Sequence, residues 1–208
     1  MTSTKKSIVY VVDDDDLLRQ TMVATTTAGG FKALSFSSGI EFLEALPELT
    51  PGAILLDVRM PEVDGLAVLE EIKRHWANAP VIMMSGQGDI PMAVRAMQSG
   101  ASDFIEKPIS LDTVRLALES ALEHKRTAKS SIATPHRPGN PLNLLSAREA
   151  EVFKLLVRGD QNKQIANKLG ISHRTVEVHR ARIMKRLEVT TIAQLVRMAI
   201  HAGLEVID

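Results

Sequence analysis

The sequence of 208 residues contains no cysteine. Disulfides, zinc–thiolate centres and thiol catalysis are thereby excluded. No apolar run approaches the ~20 residues that carry a helix across a bilayer, so no membrane-spanning helix is expected. The six histidines are scattered and never fall at metal-ligand spacing. There is no Gly-x-x-x-x-Gly-Lys-Ser/Thr loop to cradle nucleotide phosphates, which argues against an ATP-driven enzyme. Internal repeats and low-complexity tracts are missing too. The opening residues Met1-Thr2-Ser3-Thr4-Lys5-Lys6 lead into an apolar run without the pattern of a signal peptide, so the cytoplasm is the expected location.

Net charge is absent only in sum. Residues 1–124 hold 10 Lys+Arg against 18 Asp+Glu, a balance of −8, and residues 125–208 hold 15 against 7, a balance of +8. Such an asymmetry suggests an acidic domain joined to one that binds nucleic acid.

In the acidic half, short apolar runs alternate with amphipathic stretches. Strands are expected at 8–12, 32–36, 53–57, 80–84 and 103–106, with helical patterns between them and after the last. Leu66, Leu69 and Ile72 supply one apolar helical face, and Leu111, Val114, Leu118 and Leu122 another. This alternation implies an α/β fold, a doubly wound, five-stranded parallel sheet covered on both faces. Polar residues follow the strands: Asp13 and Asp14 after the first, Asp57 at the end of the third, Ser85 at the end of the fourth, Lys107 after the fifth. Open α/β sheets gather their reactive groups at that edge. Three clustered acids need a cation, and oxygen-only ligands suit Mg²⁺ before Ca²⁺. A carboxylate beside Mg²⁺ and a lysine can accept and hold a phosphoryl group. Pro61 and Gly65 make a loop after Asp57 that leaves its side chain accessible, and the Ser85 hydroxyl can donate to a phosphate there.

The order Val11-Val12-Asp13-Asp14, Asp57-Val58-Arg59-Met60-Pro61, Asp64-Gly65, Ser85-Gly86 and Lys107-Pro108 resembles the receiver domain of bacterial two-component response regulators over residues 7–122. The resemblance implies a flavodoxin-like fold and a sensor histidine kinase that phosphorylates Asp57. It implies Mg²⁺ held by Asp13, Asp14, Asp57 and the backbone carbonyl of Arg59. It also implies Ser85 and Phe104 as a switch pair, Lys107 as a phosphate contact, and a cis Lys107–Pro108 peptide. Haloacid-dehalogenase-like hydrolases begin from Asp-x-Asp, and Asp57-Val58-Arg59 lacks the second acid.

Residues 125–141 carry Pro135, Pro138, Gly139 and Pro141 and little to bury, and are expected to be a flexible linker. From Leu145 the pattern is helical. Ser146-Ala147-Arg148-Glu149 is a capping box, and Val152, Leu155 and Leu156 form the apolar face behind it. A short helix over 162–169, a third opening at Ser172 or Arg174-Thr175, and a fourth over 190–202 complete an all-α, four-helix domain. Ile165, Ala166 and Leu169 suit the scaffold helix of a helix-turn-helix, with a tight turn at Gly170 and Ile171 as its plug. Val176, Ile183 and Leu187 share one buried face of the third helix. Its other face carries Arg174, Thr175, Glu177, Val178, Arg182 and Lys185, the side chains a major-groove reader needs. Lys163, Arg180, Arg186 and Arg148 are candidates to neutralise phosphates. His179 is expected half-buried and structural.

Leu145-Ser146-Ala147-Arg148-Glu149, Asn162-Lys163-Gln164-Ile165-Ala166, Leu169-Gly170-Ile171-Ser172 and Thr175-Val176-Glu177-Val178-His179 resemble the LuxR-type helix-turn-helix domain. The resemblance implies that the helix from Thr175 enters the major groove and that the last helix mediates dimerisation. The pairing of the two domains is similar to the NarL/FixJ family, and Gly86-Gln87-Gly88-Asp89-Ile90-Pro91-Met92-Ala93-Val94 and Phe104-Ile105-Glu106-Lys107-Pro108 resemble its FixJ-type branch. The expected organisation is a receiver over 1–124, a linker over 125–141 and a DNA-binding domain over 142–208. The expected function is phosphorylation-dependent control of transcription, with no enzymatic activity beyond self-phosphorylation and self-dephosphorylation at Asp57. The expected partners are a sensor histidine kinase, double-stranded promoter DNA, a second copy of the chain when phosphorylated, and RNA polymerase as a candidate, with no membrane.

Overall fold

Runs of aliphatic and β-branched residues without interior charge are suited to burial on both faces of a parallel sheet. In the computed structural model, which describes residues 7–86, 90–127 and 141–204, three such runs form the centre of a parallel sheet and two less buried strands form its edges, five in all. They are β1 (Ile8–Val12), β2 (Lys32–Phe36), β3 (Ala53–Asp57), β4 (Val81–Ser85) and β5 (Asp103–Glu106), in the order β2-β1-β3-β4-β5. β4 starts one residue later than the expected 80–84. Proline has no N–H for a ladder, and Pro80 contributes only its carbonyl, which accepts from the Ile54 amide at 2.8 Å.

The connecting helices are α1 (Asp16–Ala28), α2 (Gly39–Ala45), α3 (Gly65–His75), α4 (Ile90–Gln98) and α5 (Leu111–Thr127). The chain divides into two units, residues 1–87 with 99–133, and residues 88–98 with 134–208, so α4 groups with the second. In the first unit, α1 and α5 pack together on one face of the sheet. There Val9, Val11, Leu55, Ile82, Met84 and Ile105 meet Met22, Val114 and Leu118. Alternate strand residues face the other way, and the Tyr10 ring lies 5.8 Å from Phe42 of α2. The expected apolar faces need two adjustments. Leu66 is half-buried while Val68, Leu69 and Ile72 are enclosed, and Leu111, the first residue of α5, is exposed.

α5 continues to Thr127, into the stretch expected to be linker. The rest of that expectation, residues 128–140, lies outside the described residues, as do Gln87, Gly88 and Asp89.

After a 3₁₀ turn at Pro141–Leu144, the second unit runs through α6 (Ala147–Val157), α7 (Asn162–Leu169), α8 (His173–Leu187) and α9 (Ile192–His201). The capping box of α6 forms, with Ser146 and Glu149 each bonding the other's backbone amide. Its buried face is Val152, Phe153, Leu156 and Val157, shifted by Phe153 from the expected set, with Leu155 only half-buried. Gly170 ends α7 at φ 64, the left-handed conformation that allows a short turn into α8. Val176, Ile183 and Leu187 are the buried residues of α8, as their spacing predicts.

Candidate functional site

The sheet order places the change of winding direction between β1 and β3, where open α/β sheets form a crevice at the carboxyl ends of their strands. The register sets Val12 beside Leu56 and Ser85 beside Glu106. Asp13, Asp57, Ser85 and Lys107 therefore emerge along one edge. Asp13, Asp57 and Ser85 are buried, at 0%, 4% and 1% exposure. The Lys107 ammonium bridges the two acids, 2.6 Å from Asp57 Oδ1 and 3.1 Å from Asp13 Oδ2.

The run of four acids divides its tasks. Asp13 accepts from the Asp15 amide at 2.9 Å and lies inside, while Asp14 is exposed. Asp15 caps α1 by accepting from the amides of Leu17 and Leu18. Asp16 pairs with Arg19. Arg19 also donates from Nη1 to the backbone carbonyl of Asp13 at 2.8 Å. In the sequence, Arg19 is marked only by its three-residue spacing from Asp16 on a helix.

The loop after Asp57 closes on itself. The Arg59 amide donates to Asp57 Oδ2 at 3.0 Å, the Gly65 amide donates to the Val58 carbonyl at 2.9 Å, and Asp64 caps α3 through the Ala67 amide. A Cβ on Gly65 would lie 2.1 Å from the Asp57 carbonyl oxygen, so only glycine lets α3 start this close to the acid. Phe104 is enclosed in this conformation, and Lys107–Pro108 is cis.

The electrostatics follow from burial and one cation. Burial raises the Asp57 carboxyl; the hydrogen bond and charge of Lys107 oppose it, Asp13 adds to it, and the Arg59 amide pulls back. Burial works against the Lys107 charge, but its bonds to Asp57 and Asp13 outweigh that and hold the ammonium above its ordinary value. Lys107 is therefore held as the ammonium. One oxygen each from Asp13, Asp14 and Asp57 lies within 4.8 Å of the others, a spacing that one hard cation can span.

In the second unit, Arg174, Glu177, Arg182 and Lys185 are exposed on α8, Thr175 is half-buried, and Lys163 is exposed on α7. Val178, 43% exposed, is the apolar member of this charged stripe. Three of the other expected groups have partners within the fold or are shielded. Arg148 donates to the Leu169 carbonyl, and Arg186 pairs with Glu149. His179 is half-buried, with its Nδ1 shut from solvent and without a hydrogen-bond partner.

Comparison with known proteins matches residues 9–119 to the response regulator receiver domain and residues 143–199 to the bacterial regulatory proteins of the luxR family. The transcriptional regulatory protein FixJ of Bradyrhizobium diazoefficiens is 38% identical over 201 residues, 97% of this chain and 98% of that protein. FixJ of Rhizobium meliloti is 40% identical over 177 residues, 85% of this chain and 87% of that one. The response regulator protein TodT of Pseudomonas putida is 37% identical over 196 residues, 94% and 86% of the two chains. The crystal structure of full-length FixJ from B. japonicum, 38% identical, aligns with a TM-score of 0.57 over 96% of this chain and 98% of that one.

Proposed function

Because the chain belongs to the two-component response regulators that join a receiver to a LuxR-type DNA-binding domain, in their FixJ-type branch, we propose that Asp57 is its point of control. The protein is a phosphorylation-dependent transcription regulator and not an enzyme; a sensor kinase acts on it and it acts on DNA. Residues 1–124 form the receiver, 125–141 the linker and 142–208 the DNA-binding domain. The observation that carries the Asp57 reading is a buried carboxylate 2.6 Å from Lys107, with two further carboxylates within cation-bridging distance.

On this reading, an Asp57 oxygen attacks the phosphorus of a kinase phosphohistidine. An O–P bond forms, the P–N bond breaks, and its electron pair stays on the imidazole. Asp13, Asp14, Asp57 and the Arg59 carbonyl are the oxygen donors for Mg²⁺, which when bound neutralises the phosphoryl oxygens. Lys107 follows the charge from the Asp57 carboxylate to the new phosphate. That phosphate adds about two negative charges. Ser85 turns its hydroxyl toward it, and Phe104 occupies the space that Ser85 leaves.

Phosphorylated receivers pair, and two reading heads engage two half-sites, the second contact being effectively intramolecular. Arg174, Thr175, Glu177, Val178, Arg182 and Lys185 meet the groove, and Lys163 meets the backbone. RNA polymerase is a candidate partner of the bound dimer. No helix among the described residues is long and apolar enough to cross a membrane, and the cytoplasm is the proposed compartment.

The test compares wild type with Asp57→Asn, each with and without Mg²⁺ and acetyl phosphate, for mass in solution and DNA affinity. Dimerisation and tighter DNA binding in wild type alone are expected. Identical behaviour of the two proteins would remove Asp57 from control.

A further inference from the structure

The first turn of α6 grips both helices of the pair that follows. Arg148 Nη2 donates at 2.6 Å to the carbonyl of Leu169, the last residue of α7. That carbonyl is one of those a helix end leaves without an internal partner. Arg148 Nη1 is steadied by Glu151 at 2.7 Å. The adjacent Glu149, 3% exposed, turns to the other helix. Its Oε2 accepts from the Ser146 amide at 2.9 Å, from the Ser146 hydroxyl at 2.8 Å, and from Arg186 Nη1 at 2.8 Å in the last turn of α8. Two neighbouring residues of opposite charge thus hold the ends of α7 and α8, while α6 contributes nothing to the exposed stripe on α8.

We propose that Arg148 and Glu149 are positioning residues that fix the angle between α7 and α8, and so contribute sequence discrimination and not gross affinity. The inference rests on the reading of α8 as the helix that enters the groove. Apolar packing at the buried Ile165, Val176 and Ile183 holds the helices together but leaves about 15–20° of freedom in their crossing angle and does not fix the angle more closely. Charge-assisted hydrogen bonds do. Arg186 anchors α8 near its C-terminal end, and Arg174 lies twelve residues away, about 18 Å at the helical rise. A tilt of ~10° about that anchor moves Arg174 by ~3 Å, the length of a hydrogen bond. Base-edge contacts do not survive such a shift, whereas long cationic side chains still reach phosphates. The direct alternative is that Arg148 and Arg186 simply neutralise phosphates, and it predicts different signs.

The experiment uses the full-length phosphorylated protein and two probes, a duplex selected by the wild type from a randomised pool and a duplex of random sequence. Affinities are measured across a salt series for wild type, Arg148→Gln, Glu149→Gln and Arg186→Gln. Thermal melts show that each variant is folded at the assay temperature. Arg186→Gln leaves the capping box intact and keeps the test open if Glu149→Gln does not fold. Expected are losses of tenfold or more on the selected duplex, changes under twofold on the random duplex, and an unaltered salt slope. Equal losses on both duplexes, with the slope shallower by about one for Arg148→Gln or Arg186→Gln, overturn the proposal in favour of phosphate contacts. Wild-type affinity for the selected duplex in all three variants overturns it as well. Arg182→Ala separates the two levels: if it leaves both affinities unchanged, the reading of α8 fails, independently of the Arg148–Glu149 grip.

Discussion

Asp57 in the first unit, which is buried beside Asp13, and Glu149 in the second are treated in opposite ways. Asp57 is 4% exposed and Glu149 is 3% exposed, so both have left water almost completely. For Asp57, burial is the largest influence and pushes the carboxyl up, against Lys107 and a single amide. For Glu149, the hydrogen bond from the Ser146 amide is the largest influence; burial opposes it, but the Ser146 hydroxyl and Arg186 add to it, and the carboxyl is held down. Asp57 retains reactivity because burial outweighs the two donors that meet it, one on each oxygen. Glu149 is held for architecture because three donors converge on its Oε2 and outweigh burial.

That contrast predicts stability changes of opposite sign. Glu149→Gln removes the charge that three donors converge on and should destabilise the helical unit by about 2 kcal/mol. Asp57→Asn relieves a buried charge and should stabilise the receiver unit by about 1 kcal/mol. Trp76, the only tryptophan, lies in the first unit and reports its urea unfolding by fluorescence, while far-UV circular dichroism follows both units. If both variants lose stability, Asp57 is as structural as Glu149 and the contrast collapses.

Both differences should shrink as pH falls, for opposite reasons. A group whose folded value is lowered binds fewer protons when folded, so its contribution is present above the unfolded value and lost on acidification. For Glu149 that loss begins below the ordinary 4.5. Asp57 is raised, so its unfavourable contribution is absent below the ordinary 3.8 and grows as pH rises through the folded value. Urea midpoints across this acid range should show the wild-type advantage over Glu149→Gln shrinking toward low pH. The Asp57→Asn advantage over wild type should also shrink, from the other direction. A Glu149→Gln difference that does not depend on pH would mean that the carboxylate charge plays no part in holding α8.

How far the sequence announced these arrangements depended on the range of the contact. Strand ends were legible because apolar runs such as Ala53-Ile54-Leu55-Leu56 stop at a polar residue, and a parallel sheet brings such ends to one edge. Asp13, Asp57, Ser85 and Lys107 meet for that reason. The cap at Ser146 was a local signal of the same clarity, whereas the opening of α8 had two candidates before Ser172 proved to be its cap, and Thr191 at the start of α9 was not singled out. The bonds from Arg148 to Leu169 and from Arg186 to Glu149 join residues 21 and 37 apart, and no periodicity encodes them. On a basic domain such arginines look like phosphate ligands, and only the geometry shows what they hold. The displaced face of α6 has a simpler cause, since Phe153 is large enough to redirect which side of the helix is buried.

The smallest effects concern backbone, again with one example in each unit. Glu62, in the loop after Asp57, and Glu188, which caps the end of α8, adopt φ of 67° and 56°. A left-handed non-glycine residue carries about 1–2 kcal/mol of steric cost, part of which glycine returns by widening the unfolded ensemble. Glu62→Gly should therefore gain only about 0.5 kcal/mol. Glu188 has a second burden, because it places a negative charge where the helix dipole is negative. Lys185 and Arg186 in the same turn offset part of that. Glu188→Gly should gain about 0.3–0.5 kcal/mol more than Glu62→Gly at low ionic strength, and the excess should fade as salt screens the dipole. Urea midpoints of the two variants at low and high salt measure that excess directly. Equal gains at both salt concentrations would leave backbone strain as the sole cause and remove the dipole from the account of how α8 ends.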